Sequence, residues 1–141
     1  MKPLEQYPRH VYTKVVADVL HFGHIRFFKA ARELGSRLTV CVVPDERVIE
    51  NKGVKPLFST SERVEMVEAC RWVDEVITDG PKLITLQFMQ DWGFHLYAFG
   101  AVDDAEFVSK LSDCSELPEN MRTHIPYTAG ISSTIIRQRL I

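Results

Sequence analysis

Two histidines three residues apart, in the stretch His21-Phe22-Gly23-His24, are the residues whose types and spacing most directly suggest chemistry. At positions i and i+3 of a first helical turn both imidazoles project from one face, beside backbone N–H groups with no intrahelical partner. Those groups and the helix dipole favour an anion, phosphate above all. Gly23 weakens a helix by roughly 1 kcal/mol, which is offset where a ligand or a neighbouring segment must approach the backbone. Imidazoles so placed can donate hydrogen bonds to charge developing on a transferring phosphoryl group. A lone His-x-x-His is also common as surface or core filler, and a zinc site would need third and fourth ligands that no spacing here supplies.

A second cluster stands near the C-terminus. Gly130, Ile131, Ser132, Ser133 and Thr134 precede an apolar-periodic stretch, and their hydroxyls and N–H groups suit phosphate oxygens. Serines at such a place also serve as ordinary N-caps.

The elements that must position these residues follow from periodicity and punctuation. Val11 to Val16 is short and β-branched and is expected to be a strand, and Phe22 to Leu34, with apolar residues at Ile25, Phe28, Ala31 and Leu34, a helix ended by Gly35. Arg37 to Val43 is apolar on both faces, as in a buried parallel strand. The stretch from Pro44 to Phe58, marked by Pro44, Gly53 and Pro56, is expected to be a long basic-tipped loop. A helix capped by hydroxyls and Glu62 runs to about Cys70, Val73 to Thr78 forms a third strand, and a helix opened by Asp79 and Pro81 ends at Gly93. His95 to Phe99 forms a fourth strand, Gly100 to Phe107 a loop entering a helix, Ser112 to Asn120 a polar loop and Thr123 to Thr128 a fifth strand. Ser132 or Ser133 caps a last helix. Alternation at this spacing implies one α/β domain, a doubly wound parallel five-stranded sheet of Rossmann-like form. In such folds ligands sit outside the carboxyl ends of the strands, where strand order reverses, and the histidine stretch follows the first strand directly.

Composition narrows the classes. The chain has 141 residues, enough for one continuous core. Its net charge of -2 is unevenly spread: residues 1–60 carry ten Lys/Arg against six Asp/Glu, and the remainder seven against thirteen. That split suits an anionic ligand held by the N-terminal part and argues against a general nucleic-acid binder. Cys41, Cys70 and Cys114 have no paired spacing and are expected to be reduced thiols of a cytoplasmic protein. No apolar run of membrane-spanning length and no signal-peptide core occurs. His95, Trp72 and Trp92 are expected to be structural, and His124 to approach the site only if the fifth strand ends there.

Taken together, His21-Phe22-Gly23-His24 after a strand and Ile131-Ser132-Ser133-Thr134 near the C-terminus resemble the two signatures of the nucleotidyltransferase superfamily with HxGH and ISTT-type motifs. The short length and the stretch "ERVEMVEACRWVDEVI" are similar to cytidylyltransferases acting on glycerol 3-phosphate and on choline or ethanolamine phosphate. The likeness runs from Val11 to about Arg139. It implies that His21 and His24 bind the triphosphate of CTP and stabilise the transition state, and that Lys52 and Lys55 supply charge from a mobile loop. It further implies that Val16, Ala17, Asp18, Gly23, Arg63, Gly100 and Asp103 contact the nucleotide, and that Ser132, Ser133 and Thr134, after Ile131, hold the β- and γ-phosphates. Mg²⁺ assistance and a homodimer are implied by the same likeness.

The pattern departs from the family's at Val15, at Ala17, in the loop Gly100 to Asp104, and at Tyr127, where an arginine is usual. Ala17 before Asp18 resembles cytidylyltransferase-like domains fused to phosphoenolpyruvate mutase in phosphonate biosynthesis. This implies an acceptor such as 2-hydroxyethylphosphonate in place of glycerol 3-phosphate, and a domain that belongs to a longer fusion. An adenylyltransferase of the same superfamily, or a nucleotide-binding regulatory domain without catalysis, are the other readings the sequence supports.

Overall fold

The computed structural model describes residues 9–126 together with Ile136, Gln138 and Arg139. Five strands, β1 (His10–Val15), β2 (Arg37–Val42), β3 (Glu75–Ile77), β4 (Leu96–Phe99) and β5 (Arg122–His124), form one parallel sheet in the order β3-β2-β1-β4-β5. Val11 stands opposite Leu38 of β2 on one side and Leu96 of β4 on the other, so the first strand is central and strand order reverses beside it. The helices are α1 (Phe22–Glu33), α2 (Asp45–Lys52), α3 (Thr60–Glu68), α4 (Leu86–Trp92) and α5 (Asp104–Asp113).

Period-2 alternation along β1 sends successive side chains to opposite faces, and two separate cores result. Val11 and Val15 pack with Phe27, Phe28 and Ala31 of α1 and Val67 of α3. Tyr12, on the other face, packs with Met89 of α4, Phe94, Tyr97 and Phe99. Each fully buried side chain of this size contributes about 1.5–3 kcal/mol. The two covered faces account for the near-continuous apolar run of β2, five of whose six residues are buried. The parallel five-stranded α/β class expected from the sequence is the class observed.

Two expectations are corrected. The segment after β2 is not a loop: α2 occupies Asp45–Lys52, with Pro44 as its N-cap and Gly53, at φ 72°, as a left-handed C-cap. Pro44 and Gly53, which looked like loop punctuation, are the ends of a helix whose only buried residue is Val48, so no apolar stripe marks it. Nor does α4 begin at Pro81. Thr85 is its N-cap, accepting from Phe88 N, while the N–H of Ile84 donates to Asp113 O and its buried side chain anchors the preceding segment. Asp113 closes α5, and Cys114 and Leu117, expected in a polar loop, are buried. The last helix, expected from Ser132 or Ser133, falls largely outside the described residues, of which Ile136, Gln138 and Arg139 are helical.

Cys41 and Cys114 are buried and Cys70 half-buried, all as free thiols. Among the described residues no helix is long and apolar enough to cross a membrane.

Candidate active site

The chain leaves β1 through Val16, turns at Ala17 and enters α1 at His21. Ala17 adopts φ 53°, the left-handed region that residues with a Cβ avoid, and it is buried. Its neighbours hold it there. Val16 O accepts from Arg63 Nη1 at 2.8 Å, and Asp18 Oδ1 accepts from the N–H groups of Leu57 and Phe58 at 2.8 and 3.2 Å.

His21 is the N-cap of α1, and here the histidine pair acquires a geometric meaning. Its Nδ1 accepts from Gly23 N at 3.0 Å, and His24 Nδ1 accepts from His21 N at 3.2 Å. The two rings thus replace the usual hydroxyl and carboxylate of a reciprocal capping box, with centroids 4.0 Å apart. An Nδ1 that accepts cannot carry a proton in the neutral ring, so each imidazole is the Nε2–H tautomer and presents that N–H as its remaining donor. Burial pushes His21 below the usual histidine value. Burial, then His21, then Lys110 push His24 down to about 4. Both are therefore neutral at pH 7. The backbone N–H of Gly23, one of the first-turn groups, is engaged by His21, and the Nε2–H of each ring takes no part in the capping box.

Both rings line a cleft of about 680 Å³ over the carboxyl ends of the strands. Val16, Ala17 and Asp18 form its wall below α1; Lys52, the last residue of α2, and Lys55, just beyond it, stand on the α2 side. Lys52 therefore projects from a helix end and not from a loop. The opposite side is built from α5, whose Glu106, Ser109, Lys110 and Asp113 form one stripe at helical spacing. Lys14, Arg47 and Lys82 complete the floor. Lys14 Nζ donates to Lys82 O at 2.8 Å and lies 3.3 Å from Asp113 Oδ2. Lys110 Nζ donates to Gly100 O at 2.6 Å and pairs with Glu106.

Four of the residues expected to contact nucleotide do not line the cleft: Gly23, buried in the first turn of α1, Arg63, Gly100 and Asp103. Arg63 has no exposed surface and sits under the cleft. Its guanidinium donates to Phe58 O, Val16 O and Val43 O, and to Asp45 Oδ1 at 2.6 Å. It clamps the ends of β1 and β2 to the starts of α2 and α3, and holds the Asp45 carboxyl below the usual carboxylate range. Gly100 offers its carbonyl to Lys110, and Asp103 is the N-cap of α5, accepting from Glu106 N at 2.8 Å. Val102 between them lines the cleft. Ile131, Ser132, Ser133 and Thr134 lie outside the described residues, as does Tyr127. His124 packs edge-on against Phe107 and does not line the cleft.

The sequence reading missed Lys14, Lys82, Lys110 and Asp113, since they come from three separate places in the chain, β1, the segment before α4, and α5. One signal existed: a lysine inside the apolar strand His10–Val15, two residues from a tyrosine, falls on the same face as that buried ring. Among the described residues no group of three or more His, Cys, Asp or Glu converges as a metal site.

A family model described as cytidylyltransferase-like matches residues 16–139. A protein named ethanolamine-phosphate cytidylyltransferase from Arabidopsis thaliana is 38% identical over 139 residues, 95% of this chain and 32% of that protein. A protein named FAD synthase from Pyrococcus abyssi is 38% identical over 122 residues, 86% of this chain and 74% of that protein. The chain thus spans about a third of the plant relative's length. Among solved structures, a lipopolysaccharide core biosynthesis protein from Thermoplasma volcanium superposes with a TM-score of 0.60 at 24% identity, covering 85% of this chain and 96% of that one, a likeness of fold.

Proposed function

The chain belongs to the cytidylyltransferase-like family of nucleotidyltransferases, and from that premise we propose that it transfers CMP from CTP to the phosphate or phosphonate of a small alcohol, 2-hydroxyethylphosphonate or glycerol 3-phosphate. One observation carries the reading: two neutral imidazoles, fixed as Nε2–H donors by their own capping box, face a lysine-lined cleft at the point where strand order reverses.

In the proposed reaction an oxygen of the acceptor's phosphate or phosphonate attacks the α-phosphorus of CTP. A new P–O bond forms, the bond between the α-phosphorus and the bridging oxygen breaks, and pyrophosphate leaves with that electron pair. No protein nucleophile is needed, so positioning and charge stabilisation carry the catalysis. His21 and His24 donate from Nε2 to the phosphoryl oxygens, and because the rings are already oriented, no reorganisation is required as charge develops. Lys52 and Lys55 approach from the α2 side to neutralise the phosphates, while Val16, Ala17 and Asp18 shape the wall against which the chain of phosphates lies. Ser132, Ser133 and Thr134 are proposed to hold the β- and γ-phosphates. Arg63 is a positioning residue.

The described residues form no cage for Mg²⁺. Asp18, Glu106 and Asp113, the carboxylates of the cleft, are each bound within the protein. Magnesium would enter with the triphosphate, which is its habit at nucleotide sites, and no step above depends on a protein ligand to it. The 141 residues are proposed to be the transfer unit of a longer protein, and to act as a homodimer in the cytoplasm.

A second reading, adenylyl transfer from ATP, is favoured by one observation: relatives named FAD synthase are as similar as the cytidylyltransferase, and FAD contains an adenylyl group. Pyrophosphate release measured with CTP or ATP, each with both acceptors and with FMN, the phosphate ester to which the adenylyl group of FAD is joined, separates the two. Release with CTP and not with ATP is expected. Release with ATP alone would establish the second reading, and nucleotide binding without release from either would leave the regulatory-domain reading.

A further inference from the structure

The floor of the cleft holds a cation that the chemistry at His21 and His24 does not use. Lys14, near the carboxyl end of β1, lies on the Tyr12 face of the sheet, and its side chain is 11% exposed yet lines the cleft. An ammonium has three N–H donors. Two have partners here, Lys82 O and Asp113 Oδ2. Burial lowers its pKa, and the nearby Arg47 adds a like charge.

Among the described residues that line the cleft, no counter-charge is left over beside it. Asp18 is engaged by the N–H groups of Leu57 and Phe58, Glu106 by Lys110, and Asp113 by Lys14 itself. Nor, among the described residues, does a Phe, Tyr or Trp ring line the cleft, so no π face is available to an organic ammonium. A small acceptor with its phosphate at the imidazoles spans only a few ångströms, and its other end therefore falls within the same cleft. The nucleobase is uncharged, so a buried ammonium discriminates among acceptors more than among nucleotides.

We propose that Lys14 is a specificity-determining residue, which admits acceptors ending in a hydroxyl or an anion and bars acceptors ending in an ammonium. This rests on the transfer reading above, which makes the cleft the acceptor's seat. It sets the chain apart from the Arabidopsis relative, whose name specifies an amine-bearing acceptor.

The isosteric pair 2-hydroxyethylphosphonate and 2-aminoethylphosphonate isolates the charge. Each is titrated calorimetrically into the full chain with α,β-methylene CTP present, an analogue that cannot release pyrophosphate. The wild type is expected to bind the hydroxyl compound at least tenfold more tightly, and Lys14→Met to narrow that ratio to threefold or less by tightening the amine. A merely structural ion pair would weaken both compounds alike and leave the ratio unmoved. If Lys14→Met does not fold, Asp113→Asn, which keeps the lysine and removes its partner charge, is expected to widen the ratio. Equal affinities in the wild type, no binding of either compound, or a ratio that neither variant moves would overturn the proposal. A tenfold ratio without pyrophosphate release from CTP would sink the transfer reading alone. Turnover that prefers the amine would sink this one alone.

Discussion

At the scale of single residues, the structural duty of His21 and its proposed catalytic duty reside on different atoms of one ring: Nδ1 closes the start of α1, and Nε2 is the donor proposed for phosphate. Substitution can separate them. Asparagine is among the best N-caps, so His21→Asn keeps an acceptor for the helix start while removing the ring donor. The variant is expected to melt within about 1 kcal/mol of the wild type and to lose activity on the order of 100-fold, the cost of one preorganised donor; thermal melts beside pyrophosphate-release kinetics check both halves. His24 supports a second prediction, on pH. An unfolded imidazole takes up its proton near 6.5, whereas His24 in the fold does so only at about 4. Stability from the neutral ring is therefore complete above 6.5 and is lost as pH falls from there towards 4. Melting temperatures recorded across that window should fall for the wild type and fall less for His24→Asn. The spacing of the two histidines was legible in the sequence. Their tautomers were not, because these depend on which backbone N–H each ring turns to meet.

At the scale of elements, the cleft's shape depends on Arg63, which lies wholly outside it. One guanidinium gathers carbonyls from the exits of β1 and β2 and from the approach to α3, together with the Asp45 carboxylate at the start of α2. Removing it leaves the buried carbonyls among those acceptors without their donor, at about 1–3 kcal/mol for each. Arg63→Met is accordingly expected to lower the melting temperature by roughly 10 °C, and nucleotide affinity should suffer only through that loss; calorimetric unfolding with CTP titrations on the folded fraction tests the division. A family likeness assigns this arginine to the nucleotide because it marks position along the chain, not depth. Helix α2 shows the opposite limit of pattern reading. With one buried residue it carries no apolar period, and Pro44 and Gly53 read equally well as loop residues or as the two ends of a helix.

At the scale of the whole molecule, the class of fold was the most legible feature. Apolar strands that alternate with amphipathic helices leave few arrangements other than a parallel sheet covered on both faces. Strand order is fixed by pairings between distant parts of the chain, such as Val11 with Leu96, and no local pattern encodes them. The same distance hid the floor of the cleft, where Lys14, Lys82 and Asp113 meet from β1, from the segment before α4 and from the end of α5. The central place of β1 also has a consequence in time. The strand made first during synthesis gains its second neighbour only when β4 has been made, and parallel pairing of this range is intrinsically slow. Until then one edge of β1 is uncovered and the cleft lacks the side that α5 supplies. The residues of β1, α1 and α2 that face the cleft are therefore made well before the cleft itself exists, and its closure waits on β4 and α5.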